Sequence, residues 1–114
     1  MAINLAAIPV TILNGVALSA DIGLGDGTLC GIAMPAAWTP AGLSFQASVD
    51  NGATWLELQT SSAAVAVTAA QGQFIALDPA IWRGVNYIRV RSGTSASPVN
   101  QGADRVLTLI TRRM

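Results

Sequence analysis

The 114-residue sequence has no histidine, no lysine, one cysteine and one glutamate. Without histidine, a Ser-His-Asp triad, a His-activated cysteine and a His-ligated zinc ion are all excluded. Cys30 is alone, so no internal disulfide forms, and its apolar neighbours predict a small core residue. Five of the six acidic side chains fall in predicted turns or at strand ends. We therefore expect no enzyme activity, no catalytic residue, no metal ligand and no cofactor.

Charge is scarce throughout the chain. Charged residues make up 11% of the sequence and hydrophobic residues 52%, whereas about 25% of a typical soluble domain is charged. A small domain normally keeps itself soluble with surface charge. We therefore expect much of the surface to be covered by other protein chains. A neutral surface rich in Ser, Thr, Asn and Gln is the alternative.

The few charges are divided along the chain. Residues 1–78 hold five acids and no basic side chain: Asp21, Asp26, Asp50, Glu57 and Asp78. Residues 79–114 hold Asp104 and all six arginines: Arg83, Arg89, Arg91, Arg105, Arg112 and Arg113. The two sets can pair within one chain, or they can form complementary patches on neighbouring subunits. Six arginines balanced by six acids do not predict nucleic acid binding.

The first 20 residues carry no charged side chain, but they do not predict a membrane span or a signal peptide. Asn4, Pro9, Thr11, Asn14 and Gly15 interrupt the apolar run, and no basic segment precedes it. We expect an unprocessed protein that is made in the cytoplasm.

Hydrophobic residues recur with a period of two, which is typical of half-buried strands. In residues 43–50, Leu43, Phe45, Ala47 and Val49 alternate with polar side chains. Similar patterns or apolar runs bounded by turn residues predict strands at 8–13, 16–22, 28–34, 54–59, 63–69, 72–77, 87–92 and 105–112. About eight or nine short strands predict an all-β, antiparallel β-sandwich of jelly-roll type. One domain spans residues 1–114, and residues 1–7 form a possible N-terminal arm.

Two segments depart from simple alternation. Asn14-Gly15 is a strong hairpin signal that predicts pairing of Leu13 with Val16. Residues 105–113, "RVLTLITRR", place apolar side chains on both faces of a strand. A two-faced strand is expected where a sheet packs on a core and also contacts another chain. Elsewhere, Asp78 as N-cap and Pro79 at the first helical position predict one helical turn.

The stretch "SVDNGATW", Ser48–Trp55, has the spacing of an Asp-box, the turn motif repeated in sialidase-like propellers. A chain of this length is too short for a propeller, and no second copy is found. Asp50 can accept hydrogen bonds from its own turn, and Gly52 supplies a positive φ. Thr54 begins the return strand, and Trp55 packs beneath the turn. We interpret the motif as a structural hairpin.

Two further segments have functional interpretations. An exposed tryptophan on a β-sandwich can stack on a sugar, and Trp82 beside Arg83 is the candidate glycan contact, with core or interface packing as the alternative. The loop at residues 92–104 is long for a hairpin connection. Its small residues and Pro98 suit an arm laid over a neighbouring chain, or a mobile surface loop.

The segments "MPAAWTPAGLSFQASVDNGATW" and "YIRVRSGTSASPVNQGADRVLTLITR" resemble short proteins encoded among the structural genes of tailed bacteriophages and prophages. The resemblance covers roughly residues 30–113, and "RSGTSASPVNQ" is its more specific part. It implies a virion component, a head decoration or minor capsid protein, with no catalytic residues. A homo-oligomer that contacts the major capsid protein or other virion proteins is the expected arrangement.

Candidate interface residues come from the apolar amino terminus, the loop and the arginine-rich end: Ile3, Leu5, Ile8, Val10, Ile12, Arg89, Arg91, Pro98, Val99, Arg112 and Arg113. Two alternatives stay open at this point. One is a glycan-binding β-sandwich module on the virion surface, and the other is a tail or baseplate component.

Overall fold

The computed structural model describes residues 5–113, in which nine strands and one short helix form a single-domain, antiparallel β-sandwich, as the sequence predicts. Each predicted strand overlaps an observed one, although several observed strands are much shorter and β2 shares only Ile22 with the predicted strand at 16–22. Their bounds are β1 Leu5–Ile12, β2 Ile22–Gly23, β3 Thr28–Ala33, β4 Leu43–Ser48, β5 Leu56–Glu57, β6 Ala66–Val67, β7 Phe74–Ala76, α1 Pro79–Trp82, β8 Tyr87–Ser92 and β9 Arg105–Arg112.

The strands pair in a nested order. The first strand pairs with the last, β2 with β8, and β3 with β7, while β4 pairs with both β5 and β6. These pairs form two sheets, β1-β9-β3-β7 and β2-β8-β4-β5, with β6 beside β5 on the same edge of β4. Nested antiparallel pairing divided between two sheets is the jelly-roll arrangement, so the expected topology is confirmed.

The core lies between the two sheets. From the first sheet, β9 contributes Leu107 and Leu109, which are 0% exposed. From the second, β8 contributes Ile88 and Val90, which are also 0% exposed. Phe45 of β4 meets Trp82 edge to face, with ring centroids 4.8 Å apart. Because side chains alternate along a strand, the neighbours of these residues point outward.

The helix α1 follows the predicted capping pattern. The Asp78 side chain accepts a hydrogen bond from the Ala80 N–H at 3.0 Å, and Pro79 occupies the first turn. The helix carries Trp82 into the core at 1% exposure. Within residues 5–113, no helix is long and apolar enough to cross a membrane.

The predicted hairpin at Asn14-Gly15 is wrong, although its turn forms. The Val16 N–H donates to the Leu13 carbonyl at 3.2 Å, and Gly15 has a φ of 82°. However, β1 pairs with β9 along eight residues, and the chain after the turn crosses to the other sheet. There Ile22 pairs with Ile88. A tight turn determines where the chain reverses but not which strand it pairs with. Of residues 16–22, only Ile22 lies in a strand, whereas β9 pairs with β1 along its whole length.

The expected N-terminal arm at residues 1–7 is corrected in part. Strand β1 begins at Leu5, which pairs with Arg112, so residues 5–7 belong to the sheet. Residues 1–4 and Met114 lie outside the described residues.

The loop at residues 92–104 is neither an extended arm nor a loosely held segment, because it folds back on its own domain. Gln101 is 1% exposed, and its Nε2 donates to Ser92 Oγ at 2.6 Å and to the Thr39 carbonyl at 3.1 Å. Its Oε1 accepts from the Thr39 N–H at 2.8 Å. Gly93 turns the chain at a φ of 90°, where an added Cβ would lie 2.4 Å from the Ser97 carbonyl oxygen. The loop is therefore fastened at both ends.

Gln101→Ala is expected to lower the free energy of unfolding by about 1–3 kcal/mol, because buried partners lose their hydrogen bonds. Gln73→Ala is the matched control, since Gln73 is exposed, and we expect a change within about 0.5 kcal/mol. Urea denaturation of both variants and the wild type measures the difference. Equal stability of the two variants would contradict the fastening role of Gln101.

Candidate interaction surface

The sandwich has two outer faces of opposite character. The outer face of β2-β8-β4-β5, here called the polar face, carries hydrogen-bonding or charged side chains from adjacent strands: Asp21, Ser44, Gln46, Ser48, Glu57, Tyr87, Arg89 and Arg91. The outer face of β1-β9-β3-β7, here called the apolar face, carries uncharged, mostly apolar side chains between its ends: Ala7, Pro9, Ala33, Phe74, Ala76, Val106, Thr108 and Ile110. Antiparallel sheets usually present a polar face to water, so the second face is the exception.

On the polar face, Arg89 is held from two sides. Its Nε donates to Asp21 Oδ1 at 3.0 Å, and its guanidinium carbon lies 4.1 Å from the centroid of the Trp55 ring. Trp55 also stacks on Tyr87, with centroids 5.9 Å apart. A guanidinium over an indole face is a favourable cation–π geometry. The charge of Arg89 is therefore paired by contacts within the chain.

Arg91 is more deeply enclosed on the same face. Its residue exposure is 7%; Nε donates to Ser44 Oγ at 2.9 Å, and the two terminal nitrogens donate to the two carboxylate oxygens of Glu57. These hydrogen bonds from Arg91 hold the pKa of the Glu57 carboxyl below its usual range, against the smaller opposing effect of burial. Gln46 Nε2 adds a further hydrogen bond to Glu57 at 2.9 Å. The charges of Arg89 and Arg91 are thus paired within the polar face, whereas the buried Gln46 Oε1 and Trp55 Nε1 have no hydrogen-bond partner among residues 5–113.

The Asp-box forms the structural turn that the sequence predicts. Asp50 accepts hydrogen bonds from the Thr54 hydroxyl at 2.5 Å, the Thr54 N–H at 2.9 Å and the Ser48 hydroxyl at 2.7 Å. These bonds, led by the Thr54 hydroxyl, lower the pKa of Asp50 to about 2. Gly52 has a φ of 91°, and Trp55 packs against Tyr87 beneath the turn. The oxygens of Asp50 are therefore engaged with their own loop.

The apolar face is built in cross-strand rows. One row runs Ala7–Ile110–Gly31–Ala76, and the next runs Pro9–Thr108–Ala33–Phe74. Phe74 is 62% exposed and Val106 49% exposed. Across the described part of this face, charge appears only where β9 starts and ends.

Phe74 lies flat across the apolar face because Gly31 leaves room for it. A Cβ built on Gly31 would lie 2.6 Å from the tip of the Phe74 ring. The glycine therefore lets the aromatic ring cover the backbone of β3, next to Ile110 of β9. The result is an exposed apolar surface above the β3 backbone.

The predicted interface residues separate into several groups. Val10 and Ile12, at 3% and 0% exposure, belong to the core, so their assignment to an interface is corrected. Ile8 is half-buried and packs against the same core. Leu5 is 47% exposed at the end of the apolar face. Ile3 lies outside the described residues.

The remaining candidates lie in three places. Arg89 and Arg91 pair within the polar face, and Arg113 pairs with Asp26 at 3.1 Å. Intramolecular pairing thus accounts for half of the six arginines. Arg112 is exposed at the end of β9. Pro98 and Val99 lie in the folded loop, the first exposed and the second half-buried.

The contributions of β3 and β7 to the apolar face were not predicted from the sequence. The pattern of residues 105–113 predicts that Val106 and Ile110 point away from Leu107 and Leu109, and the structure confirms those directions. Phe74 and Ala33 escaped notice because β7 is three residues long and β3 contains a bulge at Cys30, which is half-buried rather than fully buried. The available signal was the presence of small residues at Gly31 and Ala33 in one apolar segment and of Phe74 in another.

The proposed sugar platform at Trp82 does not form. Trp82 is 1% exposed and Trp38 is 5% exposed, so both rings belong to the core. Arg83 is exposed beside the helix but has no exposed tryptophan next to it. Trp55 is half-buried between Arg89 and Tyr87. Among residues 5–113, no cluster of three or more Cys, Asp or Glu residues is arranged to hold a metal ion.

Comparison with known proteins adds no relative: no family model and no curated protein matches this chain.

The Asp50 turn makes a testable prediction about acid stability. Because the folded-state pKa is depressed from 3.8 to about 2, the stabilisation is complete above about pH 4 and is lost as the pH falls through about 2. Asp50→Asn removes the titrating group, so the variant should melt at a lower temperature than the wild type at neutral pH. The melting-temperature gap should stay constant from about pH 7 to 5 and close between about pH 4 and 2. A gap that persists unchanged at pH 2 would contradict this origin of the shift.

Proposed function

We propose that this chain is a structural protein of a tailed-phage virion, a capsid decoration or cement protein without enzymatic activity. The observation that carries the proposal is the apolar face: a sheet surface that carries no charge between its ends, on a domain in which only 11% of the residues are charged. Such a face is a site for protein contact rather than for water. The resemblance of residues 30–113 to short phage structural proteins supplies the biological setting.

The distribution of charge supports a role in assembly. Arg89, Arg91 and Arg113 find acidic partners within the chain. The pairs of Arg89 and Arg91 neutralise charges of the polar face without a partner chain, and the pair of Arg113 lies outside that face. The apolar face has no such compensation, and covering it removes apolar area from water at about 25 cal/mol per Å². A decoration protein would stabilise the head by this burial, repeated over many copies.

The jelly roll is compatible with the proposal but does not establish it. Viral capsid and lectin domains both use this architecture, and one fold supports many functions. The expected partners are the major capsid protein, other virion proteins and further copies of this chain. The proposal includes no nucleic acid, membrane or cofactor contact, and its site of action is the virion, after synthesis in the bacterial host cytoplasm.

The glycan-binding alternative is not favoured by any observed surface. It needs an exposed tryptophan, but Trp38 and Trp82 are buried, and the half-buried ring of Trp55 is in contact with Arg89 and Tyr87. A tail or baseplate component would use the same apolar face with a different symmetry, and the experiment below distinguishes it.

The test uses particles of the phage or prophage that encodes the chain, separated into heads and tails. We expect quantitative mass spectrometry to find the chain in the head fraction, in fixed proportion to the major capsid protein. Heads from a deletion strain should release DNA at a lower temperature, and purified full-length chain should restore the wild-type temperature. Detection in tails alone would support the tail alternative. Detection in the lysate but not in particles would contradict a virion role.

A further inference from the structure

The outer side of β9 has a pattern that the proposed function does not use. Its outward positions read Asp104, Val106, Thr108, Ile110 and Arg112, with Asp104 directly before the strand. An acid stands at one end, a base at the other, and apolar or neutral residues lie between them. Asp104 and Arg112 are both exposed, and neither takes part in the ion pairs found within residues 5–113.

This pattern is complementary to itself when it is reversed. If a second β9 lies antiparallel across the first, Asp104 meets Arg112 at both ends and Val106 meets Ile110 on both sides. Thr108 then meets its own copy at the two-fold axis. A contact of this kind, in which the same patch serves both partners, is the commonest way for identical chains to pair.

The same sheet has two edge strands, β1 and β7, and the free edge of β1 is poorly suited to self-association. The Met34 N–H donates a hydrogen bond to the Gln73 carbonyl at 2.8 Å. Even-numbered residues near the end of β3 therefore direct their backbone N–H and C=O groups toward β7. Odd-numbered residues, including Ala33, direct theirs toward β9. Following this alternation across β9 places the backbone groups of Pro9 at the free edge of β1. Because proline has no N–H, it interrupts any strand added there. Pro9 therefore disfavours the addition of a strand at the β1 edge, whereas no side chain in the described part of the apolar face opposes contact in a comparable way.

We propose that two copies of this chain pack apolar face against apolar face, with their β9 strands antiparallel about a two-fold axis near Thr108. The biological role of this dimer rests on the proposed function, which requires a contact between chains but does not say which surfaces form it. The two sheets lie about 10 Å apart with strand directions within about 30° of each other. Phe74 lies in the same cross-strand row as Thr108, so the Phe74 side chains of the two copies meet near the axis.

The area of the apolar face sets the affinity that we expect for the dimer. Four strands, of which β1 and β9 are eight residues long, fit within a rectangle of roughly 20 Å by 25 Å. The shorter β3 and β7 fill only part of it, so the face is at or below the low end for a specific interface. Because association itself is costly, we expect a dissociation constant in the range of about 1–100 μM. The charged ends, which are solvent-exposed, contribute mainly to orientation.

The first experiment measures the mass of the purified full-length chain by sedimentation equilibrium from about 1 to 500 μM, a range set by the expected affinity. We expect a reversible monomer–dimer equilibrium in the wild type. Thr108→Arg places two like charges at the axis and should weaken the dimer by at least about tenfold. Thr68→Arg is the matched control, since Thr68 is exposed on a segment outside the apolar face, and it should leave the equilibrium unchanged. Thermal melting of each variant verifies that it is folded.

The second experiment tests the antiparallel arrangement by charge reversal. Asp104→Arg brings like charges together at both ends of the interface, and Arg112→Asp does the same with the opposite sign. Each single variant should weaken the dimer, and the double variant should recover most of the wild-type affinity. A structural role for Asp104 alone, through its hydrogen bond from the Asn14 N–H at 2.8 Å, cannot produce this recovery.

The outcomes separate this inference from the proposed function. A monomer at every concentration, or a dimer that Thr108→Arg leaves intact, overturns the face-to-face dimer even if the chain is found in heads. In that case another virion protein is the occupant of the face. Loss of affinity in the single charge variants without recovery in the double variant overturns the antiparallel arrangement. A dimer with the expected behaviour stands even if the chain is absent from particles.

Discussion

The pairing of the first and last strands closes the sandwich, and the other features depend on it. Leu5 to Ile12 pair with Arg112 to Arg105 without a break in register, joining segments about a hundred residues apart. With β9 held between β1 and β3, Leu107 and Leu109 enter the core, and the even-numbered residues that alternate with them face outward. The apolar character of Val106 and Ile110 then cannot be hidden within the domain. The uncovered surface is thus a direct consequence of closing the fold.

The contrast between the two faces explains how the chain manages with little charge. On the polar face, Arg89 pairs with Asp21 and Arg91 pairs with Glu57. The buried and half-buried guanidinium groups therefore have acidic partners. An unpaired guanidinium in the position of Arg91 would be costly. The other face avoids this cost by carrying no charge between its ends. A domain that divides its surface in this way has one side suited to solvent and one suited to another protein.

Several parts of the fold could be predicted from the sequence because they are encoded locally. The alternation in β4 and β8, the Asp78 cap and the Asp50 turn each depend on a few adjacent residues, and each is observed. The partner of β1 could not be predicted, because the Asn14-Gly15 turn gives a local signal for a hairpin and carries no information about the distant β9. The burial of Trp82 and the partners of the arginines depend likewise on which strands the fold brings together. The apolar face was found in part, since the two-faced pattern of β9 is local while its neighbours in β3 and β7 are set by topology.

The central claim is that the apolar face, and not exposed apolar side chains in general, is the surface this domain presents to another copy. Methyl NMR spectra of the full-length chain on dilution test it most directly. Val106 and Ile110 lie on the face, whereas Val49 and Leu56, at 88% and 61% exposure, lie away from it. We predict that the methyl signals of Val106 and Ile110 shift with concentration while those of Val49 and Leu56 do not. Shifts of equal size in all four, or no shift in any, would contradict the account.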